Sequence, residues 1–202
     1  ALPSGESGTR VSEFSYDAAT GLLSQEVVEP DTPELKLVTD YVYDVYGNKT
    51  SVTVSGGNGA TAVAARSTTS AFDVRGQFAT TTTNALGHSE THIFDNRFGV
   101  MLSMTGPNGL TTSWNYDSFG RKVSETRADG TESIITREWC DGFQGLTGNP
   151  FCPADGVLAI TTQTDGAATT AAFSDALGRV TRSATVGRDG SIIFADTQYN
   201  AR

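Results

Sequence analysis

The chain is poor in the residues that carry out chemistry. It has two histidines, two cysteines and two methionines among 202 residues. Charged residues make up only 18% of it, and long Leu/Ala/Glu/Lys runs of the helical kind are missing. No stretch approaches the roughly 20 consecutive apolar residues of a membrane-spanning helix, and no secretory leader pattern stands at the front. The chain opens on Ala1 and not on methionine, which gives the expectation of a mature or excised piece. A G-x-S-x-G nucleophile elbow and a G-x-x-x-x-G-K-[ST] phosphate loop are both missing. Two histidines on one predicted strand leave little for acid–base work, so no catalytic residue and no cofactor are assigned and an enzyme is not expected. The net charge of −9 argues against nucleic acid, heparin and anionic membranes as general partners.

What the chain has is threonine, serine, glycine, alanine and valine, with 22 glycines. Thr, Val, Tyr and Phe favour strands and glycine favours turns, so the fold class read from composition is all-β. The stretch from Leu110 to Thr126 gives the unit. Leu110, Thr112, Trp114 and Tyr116 alternate with polar residues, giving one apolar face. Asp117 can bond backbone N–H groups two residues on, Gly120 can take φ > 0, and Val123 resumes the alternation. The unit is a β-hairpin, and its Asp/Asn-x-x-Gly turn recurs along the chain.

Residues 1–13 are expected to be a loose end and 14–202 a single hairpin array. The first turn is Tyr16-Asp17-Ala18-Ala19-Thr20-Gly21, one residue longer than the Asp117 turn, and prolines at 30 and 33 break the next strand. Further turns are Tyr43-Asp44-x-x-Gly47, the loop at 56–59, and Phe72-Asp73-x-x-Gly76. Turn glycines then follow at Gly87, Gly99 (in Asn96-Arg97-Phe98-Gly99), Gly109, Gly120 and Gly130, ten to twelve residues apart, which leaves strands of ordinary length. Antiparallel neighbours send alternate turns to opposite edges of a sheet. The aromatic-Asp turns ending at Gly21, Gly47, Gly76, Gly99 and Gly120 all fall on one edge. Residues 140–156 test this parity. Read as one long connection, they restore it, placing Gly178 on the aromatic-Asp edge and Gly166 and Gly190 opposite. About fifteen strands result. A flat sheet of that many would be about 70 Å wide, and open sheets beyond about ten strands curl, so the predicted architecture is an antiparallel hairpin ribbon curling into a spiral or partial barrel shell.

Tyr43-Asp44-x-x-Gly47, Phe72-Asp73-x-x-Gly76, Tyr116-Asp117-x-x-Gly120-Arg121, and Asp175-Ala176-Leu177-Gly178-Arg179 after Phe173 resemble the YD repeat of RHS proteins. The segment from Cys140-Asp141-Gly142 to Cys152-Pro153 looks like that of certain proteobacterial members. The resemblance covers residues 14–202 and implies a strand ribbon that spirals into a hollow shell. In toxin-complex B and C components and bacterial RHS toxins such a shell encloses a C-terminal toxin; in teneurins similar repeats form an extracellular barrel. The implied role is a structural wall segment that encapsulates and helps deliver a toxin. The implied partners are the enclosed toxin polypeptide or the remaining shell repeats, and the implied location is secreted or at the bacterial cell surface. The chain departs from the family in being too short to close a shell and in lacking the Asp-Pro-x-Gly-Leu signature of self-cleavage. Gly106-Pro107-Asn108-Gly109-Leu110 is superficially similar but lacks the aspartate and reads as a hairpin turn.

The residues singled out follow from this unit. Asp44, Gly47, Asp73, Gly76, Asn96, Gly99, Asp117, Gly120, Asp175 and Gly178 form the repeat turns. Tyr16, Tyr43, Phe72, Phe94, Tyr116, Phe173 and Tyr199 precede turns on one edge and are expected to pack strand to strand as a rim. The competing reading makes them a carbohydrate-stacking stripe and the chain a cell-surface glycan- or protein-binding module. Arg121 and Arg179 are expected to pair with turn aspartates of adjacent repeats. Cys140 and Cys152 are too few for a four-ligand zinc site and are read as a disulfide. His88, Glu90 and His92 share one strand face, with the histidines about 13 Å apart, so a solvated or shell-lining face is expected and no metal site is assigned. Asp129, Asp155, Asp165 and Asp189 lack the ligand spacing of a calcium loop and are read as turn residues. Open edge strands make self-association a further expectation.

Overall fold

The computed structural model of the protein describes residues 10–57, 62–141 and 152–200. Residues 1–9 of the expected loose end, the tip of the 56–59 loop, the interior of the 140–156 connection and the last two residues lie outside them. Among the described residues every regular element is a strand. The first strands are β1 (Ser12–Tyr16), β2 (Leu23–Val28), β3 (Leu37–Tyr43), β4 (Lys49–Gly56), β5 (Val63–Phe72), β6 (Ala79–Thr83), β7 (Ser89–Asp95) and β8 (Val100–Thr105). They are followed by β9 (Thr111–Tyr116), β10 (Lys122–Thr126), β11 (Glu132–Trp139), β12 (Leu158–Thr164), β13 (Thr170–Ser174), β14 (Val180–Val186) and β15 (Ile192–Asp196). They form one 15-stranded sheet in chain order, with no crossover. The β11–β12 pair is antiparallel and runs to Trp139↔Leu158, so the 140–156 connection does join neighbouring antiparallel strands. Pairing begins at Ser12↔Val28, and the Glu29 N–H donates to the Val11 carbonyl. The ordered ladder therefore starts two residues before the expected boundary at 14, because β2 is long enough to pair them.

The chain divides into two compact units, one of residues 1–94 with 104–109 and the other of 95–103 with 110–202. Among the described residues of the first unit, Val27 is the one buried apolar side chain. Its cohesion comes from the strand ladders and from half-buried Val, Thr and aromatic side chains on the sheet faces. The second unit has a small core. Phe173, 0% exposed, lies among Ala159, Ala171 and Ala184, with Cys140, Cys152, Val186 and Ile192 packed against them. Phe173 pairs with Ala159 across one ladder, and Ala171 with Ala184 across the other. Three alanines leave the hollow that one phenyl ring fills.

Phe173 therefore does not belong to the rim series. Tyr43 and Tyr116 stand immediately before their turn aspartates, whereas Ser174 holds that place before Asp175. Side chains alternate along a strand, so Phe173 faces the other way, into the core.

Candidate functional site

The feature repeated along the chain is a hairpin module, and each part has a physical job. The turn aspartate comes first. Asp117 Oδ1 accepts the N–H groups of Phe119 and Arg121, both at 2.9 Å. Asp44 does the same for Tyr46 and Asn48, and Asp175 for Leu177 and Arg179. Asp73 keeps the cap four residues on, at Gln77, and takes its second from Phe78, five residues on. The backbone closes beneath them: Asp117 N–H donates to the Arg121 carbonyl, and Gly120 N–H returns to that of Asp117. The backbone N–H of Arg121 is the main cause holding the Asp117 carboxyl below the usual aspartate value, with the Arg121 side chain adding to it against burial. Asp175 is lowered in the same way by Arg179.

Two expectations about these turns are corrected. Arg121 Nε donates to Asp117 Oδ2 at 2.7 Å, and Arg179 Nε to Asp175 Oδ2 at 2.8 Å. Both arginines thus pair inside their own turn, because Oδ1 takes the backbone caps and leaves Oδ2 within reach of the residue after the glycine. In the turn before Gly99 the capping residue is Asp95 and not Asn96. Gly99 N–H donates to the Asp95 carbonyl, and Asp95 also accepts the N–H of Arg97 and pairs with its guanidinium. This turn has the longer form of Asp17 to Gly21; the aspartate displaces Asn96 because it alone can also pair with Arg97.

Three modules also reach back. The Tyr43 hydroxyl donates to the Leu23 carbonyl (2.9 Å), that of Tyr116 to Met101 (2.8 Å), and that of Tyr199 to Val180 (3.1 Å). In each case the acceptor stands two residues after the preceding module's turn glycine. These tyrosines tie one hairpin to the next as well as packing. Phe94 stacks on Phe78 with centroids 4.7 Å apart, Phe72 is half-buried, and Tyr16 is exposed.

A third part went unread in the sequence. Tyr43 pairs with Lys49 but Val42 with Ser51, so Thr50 is an extra residue, a β-bulge. Ser24, Thr80, Val123 and Thr181 are skipped in the same way just after their turns. A bulge disrupts the ladder locally. Here Ser24, Thr50, Thr80 and Thr181 donate their hydroxyls to the carbonyls of Ser15, Val42, Ala71 and Phe173 across the pair. The signal was available as a Ser or Thr three residues after Gly21, Gly47 and Gly178.

Two modules also reach forward. In the first unit the Tyr46 ring lies on Gly76, its hydroxyl donates to the Val74 carbonyl, and Asn48 Nδ2 donates to that of Gly76. A Cβ on Gly76 would lie 2.3 Å from the ring. In the second unit Phe98 covers Gly120 in the same fashion, at 2.9 Å. Both turn glycines have φ near +70°, at 66° and 75°.

The 140–156 connection stands where a further aspartate turn would. Cys140 N–H donates to the Val157 carbonyl, the bond that Asp117 makes to Arg121. Trp139 precedes it as Tyr116 precedes Asp117, and the rim reading had missed it. Cys140 and Cys152 are joined by a disulfide with Cα atoms 5.7 Å apart. The residue that caps other turns by hydrogen bonding here closes its loop covalently.

The remaining candidates stay apart. His92 Nδ1 lies 3.3 Å from the Ala79 carbonyl and Nε2 3.9 Å from Glu90. Asp129 and Asp189 cap Thr131 and Ser191 within their own turns, and Asp165 accepts the Glu132 N–H from the neighbouring strand. Among the described residues no group of three or more His, Cys, Asp or Glu gathers to hold a metal, and no helix is long and apolar enough to cross a membrane.

Residues 100–132, from β8 into β11, match the RHS repeat family. Among solved structures the chain is similar to the crystal structure of TcdB2-TccC3-TEV, at 13% identity and a TM-score of 0.48, over 87% of this chain and 10% of that one. It is also similar to the Photorhabdus luminescens Tc holotoxin pore with a mutated TccC3, at 14% identity and a TM-score of 0.47, over 87% and 10%. The chain thus spans about a tenth of the length of either structure. No curated protein sequence matches it.

Proposed function

We propose that this chain, which carries an RHS repeat at residues 100–132, is a wall segment of an RHS/YD-repeat shell that encloses a toxin polypeptide and helps deliver it. The hairpins act as one array, and the role is mechanical, not catalytic. The observation that carries this reading is the two-way coupling of the modules. Tyr43 and Tyr116 bond back to the preceding hairpin, while Tyr46 and Phe98 pack forward onto the next turn. With strands in chain order, such modules add one after another without rearranging those already placed, as a wall requires. The partners are then the enclosed polypeptide and further repeats, at a secreted or cell-surface location in a bacterium. The rim tyrosines support a wall over a glycan-binding stripe, since Tyr43 and Tyr116 are partly buried and spend their hydroxyls on backbone carbonyls.

The test is limited proteolysis of the complete polypeptide that contains this segment. An enclosed portion resists protease until the repeats unfold, then is cut rapidly. Cleavage of every non-repeat portion at the rate of the same portion expressed alone would remove the encapsulation reading.

A further inference from the structure

We infer that the Asp165–Gly166 turn is a site of spontaneous isoaspartate formation, a succinimide-mediated change of the main chain that the other described Asp-Gly turns resist. This holds whether or not a toxin is enclosed. Four Asp-Gly pairs lie within the described residues, at 129–130, 155–156, 165–166 and 189–190. The reaction needs the glycine nitrogen to reach the aspartate Cγ. In three of the pairs that nitrogen is committed: the N–H groups of Gly130, Gly156 and Gly190 donate to the carbonyls of Arg127, Pro153 and Gly187 at 2.9, 2.9 and 3.0 Å. Each of these glycines is the fourth residue of its turn and makes the closing bond. In the β12–β13 connection the closing bond comes one residue later, from the Ala167 N–H to the Thr164 carbonyl at 3.0 Å. Gly166 is then a central residue of the turn, at φ +72°. Its N–H has no acceptor among the described residues.

The carboxyls differ as well. Asp129 Oδ1 accepts the N–H and the hydroxyl of Thr131, at 2.9 and 2.6 Å, and Asp189 Oδ1 those of Ser191, at 3.0 and 2.6 Å. The hydroxyls are the main cause holding both carboxyls below the ordinary aspartate value, and an ionised carboxylate is a poor acyl group. Asp165 is exposed, and its Oδ2 takes the Glu132 N–H at 2.9 Å. That donor faces the oxygen on which charge builds when Cγ is attacked, so it assists the step. The Gly166 nitrogen bonds to Cγ of the protonated carboxyl, whose OH leaves as water with the amide proton, and a five-membered succinimide closes. Water then opens the ring at either carbonyl. Opening at the Asp165 main-chain carbonyl breaks its bond to the Gly166 nitrogen and leaves the chain running through Cβ and Cγ, with the α-carboxyl as the side group. One methylene is thereby inserted into the turn at unchanged mass.

The test is to age the 202-residue protein at neutral pH, folded and in urea. Isoaspartate is read as labelled methyl transferred from S-adenosylmethionine by an isoaspartyl methyltransferase, and is placed by peptide mapping. In the folded protein Asp165 should gain the label about fivefold faster or more than Asp129, Asp155 or Asp189, because each of their glycines must first give up a hydrogen bond. In urea the four rates should converge, since glycine follows every one of them. Hydrogen exchange in the aged folded protein should rise at Ala167 and Glu132, whose bonds to this turn the longer main chain disrupts. Equal rates at the four sites in the folded protein, a faster gain at any of the other three, or no label at Asp165 while the urea sample acquires it would each overturn the inference.

Discussion

Replacing Gly76 with alanine separates two costs that a turn glycine combines. A residue held at positive φ costs about 1–2 kcal/mol when it carries a Cβ. Gly87→Ala measures that cost alone, because its φ is +82° and nothing lies within 4 Å of the added atom. At Gly76 the same atom would fall 2.3 Å from Tyr46 Cδ2 and 2.9 Å from its Cβ, so the whole side chain must move. Tyr46 is 59% exposed, and its ring can swing into solvent. The added cost is then the bond to the Val74 carbonyl and the ring's contact, roughly 1–2 kcal/mol together, below that of overpacking a closed core. Gly76→Ala should therefore destabilise by about 1–2 kcal/mol more than Gly87→Ala in urea denaturation. Local hydrogen exchange around residues 73–78 serves as a second readout should the repeats not unfold as one. In a Tyr46→Ala background the excess should shrink to the cost of the 2.9 Å contact with the Cβ that remains. Equal costs at the two glycines, or an excess undiminished by Tyr46→Ala, would show that turns are not coupled through this ring.

Three further outcomes follow from the same geometry. Tyr116→Phe should cost about 1 kcal/mol by leaving the Met101 carbonyl without its donor, read as a lower urea midpoint at unchanged slope. Reducing the Cys140–Cys152 disulfide should cost about 3 kcal/mol on loop entropy alone, seen as a lower melting temperature in reductant; two free thiols in the native protein would contradict the bond itself. Acid should weaken the array through Asp117 and Asp175. Their folded pKa values lie below the ordinary value, so their contribution is full above the unfolded value of about 3.9 and is lost as pH falls through the folded one. Asp117→Asn keeps a capping oxygen and should flatten the acid limb of the stability profile; an unchanged limb would assign the acid sensitivity elsewhere.

The strand order was legible because Asp/Asn-x-x-Gly turns are local and their edge parity is a counting constraint. That constraint also predicted that the strands before residue 140 and after residue 156 are antiparallel neighbours, as β11 and β12 are. The side-chain partners were less legible. Arg121 gives no sign in sequence whether it pairs within its turn or across to the next; the distance to Asp117 Oδ2 decides it. Asn96 looked like the turn residue because the three-residue spacing to glycine was carried over from Asp117, whereas this turn begins one residue earlier. Phe173 was assigned by adjacency to Asp175, although a single step along a strand reverses the face. The bulge hydroxyls were missed for a different reason: Ser and Thr are so common here that three of them at one spacing do not stand out.

The disulfide-closed connection has a consequence for how such a chain can change. Its ends meet the sheet through the same Cys140-to-Val157 bond and the same ladder that close the short turns. A longer excursion therefore leaves strand parity and every downstream register intact, and the entropic cost of lengthening it rises only slowly. Turns on this edge are splice points. New surface can be inserted there, braced by one covalent tie, while the strands on either side keep their neighbours.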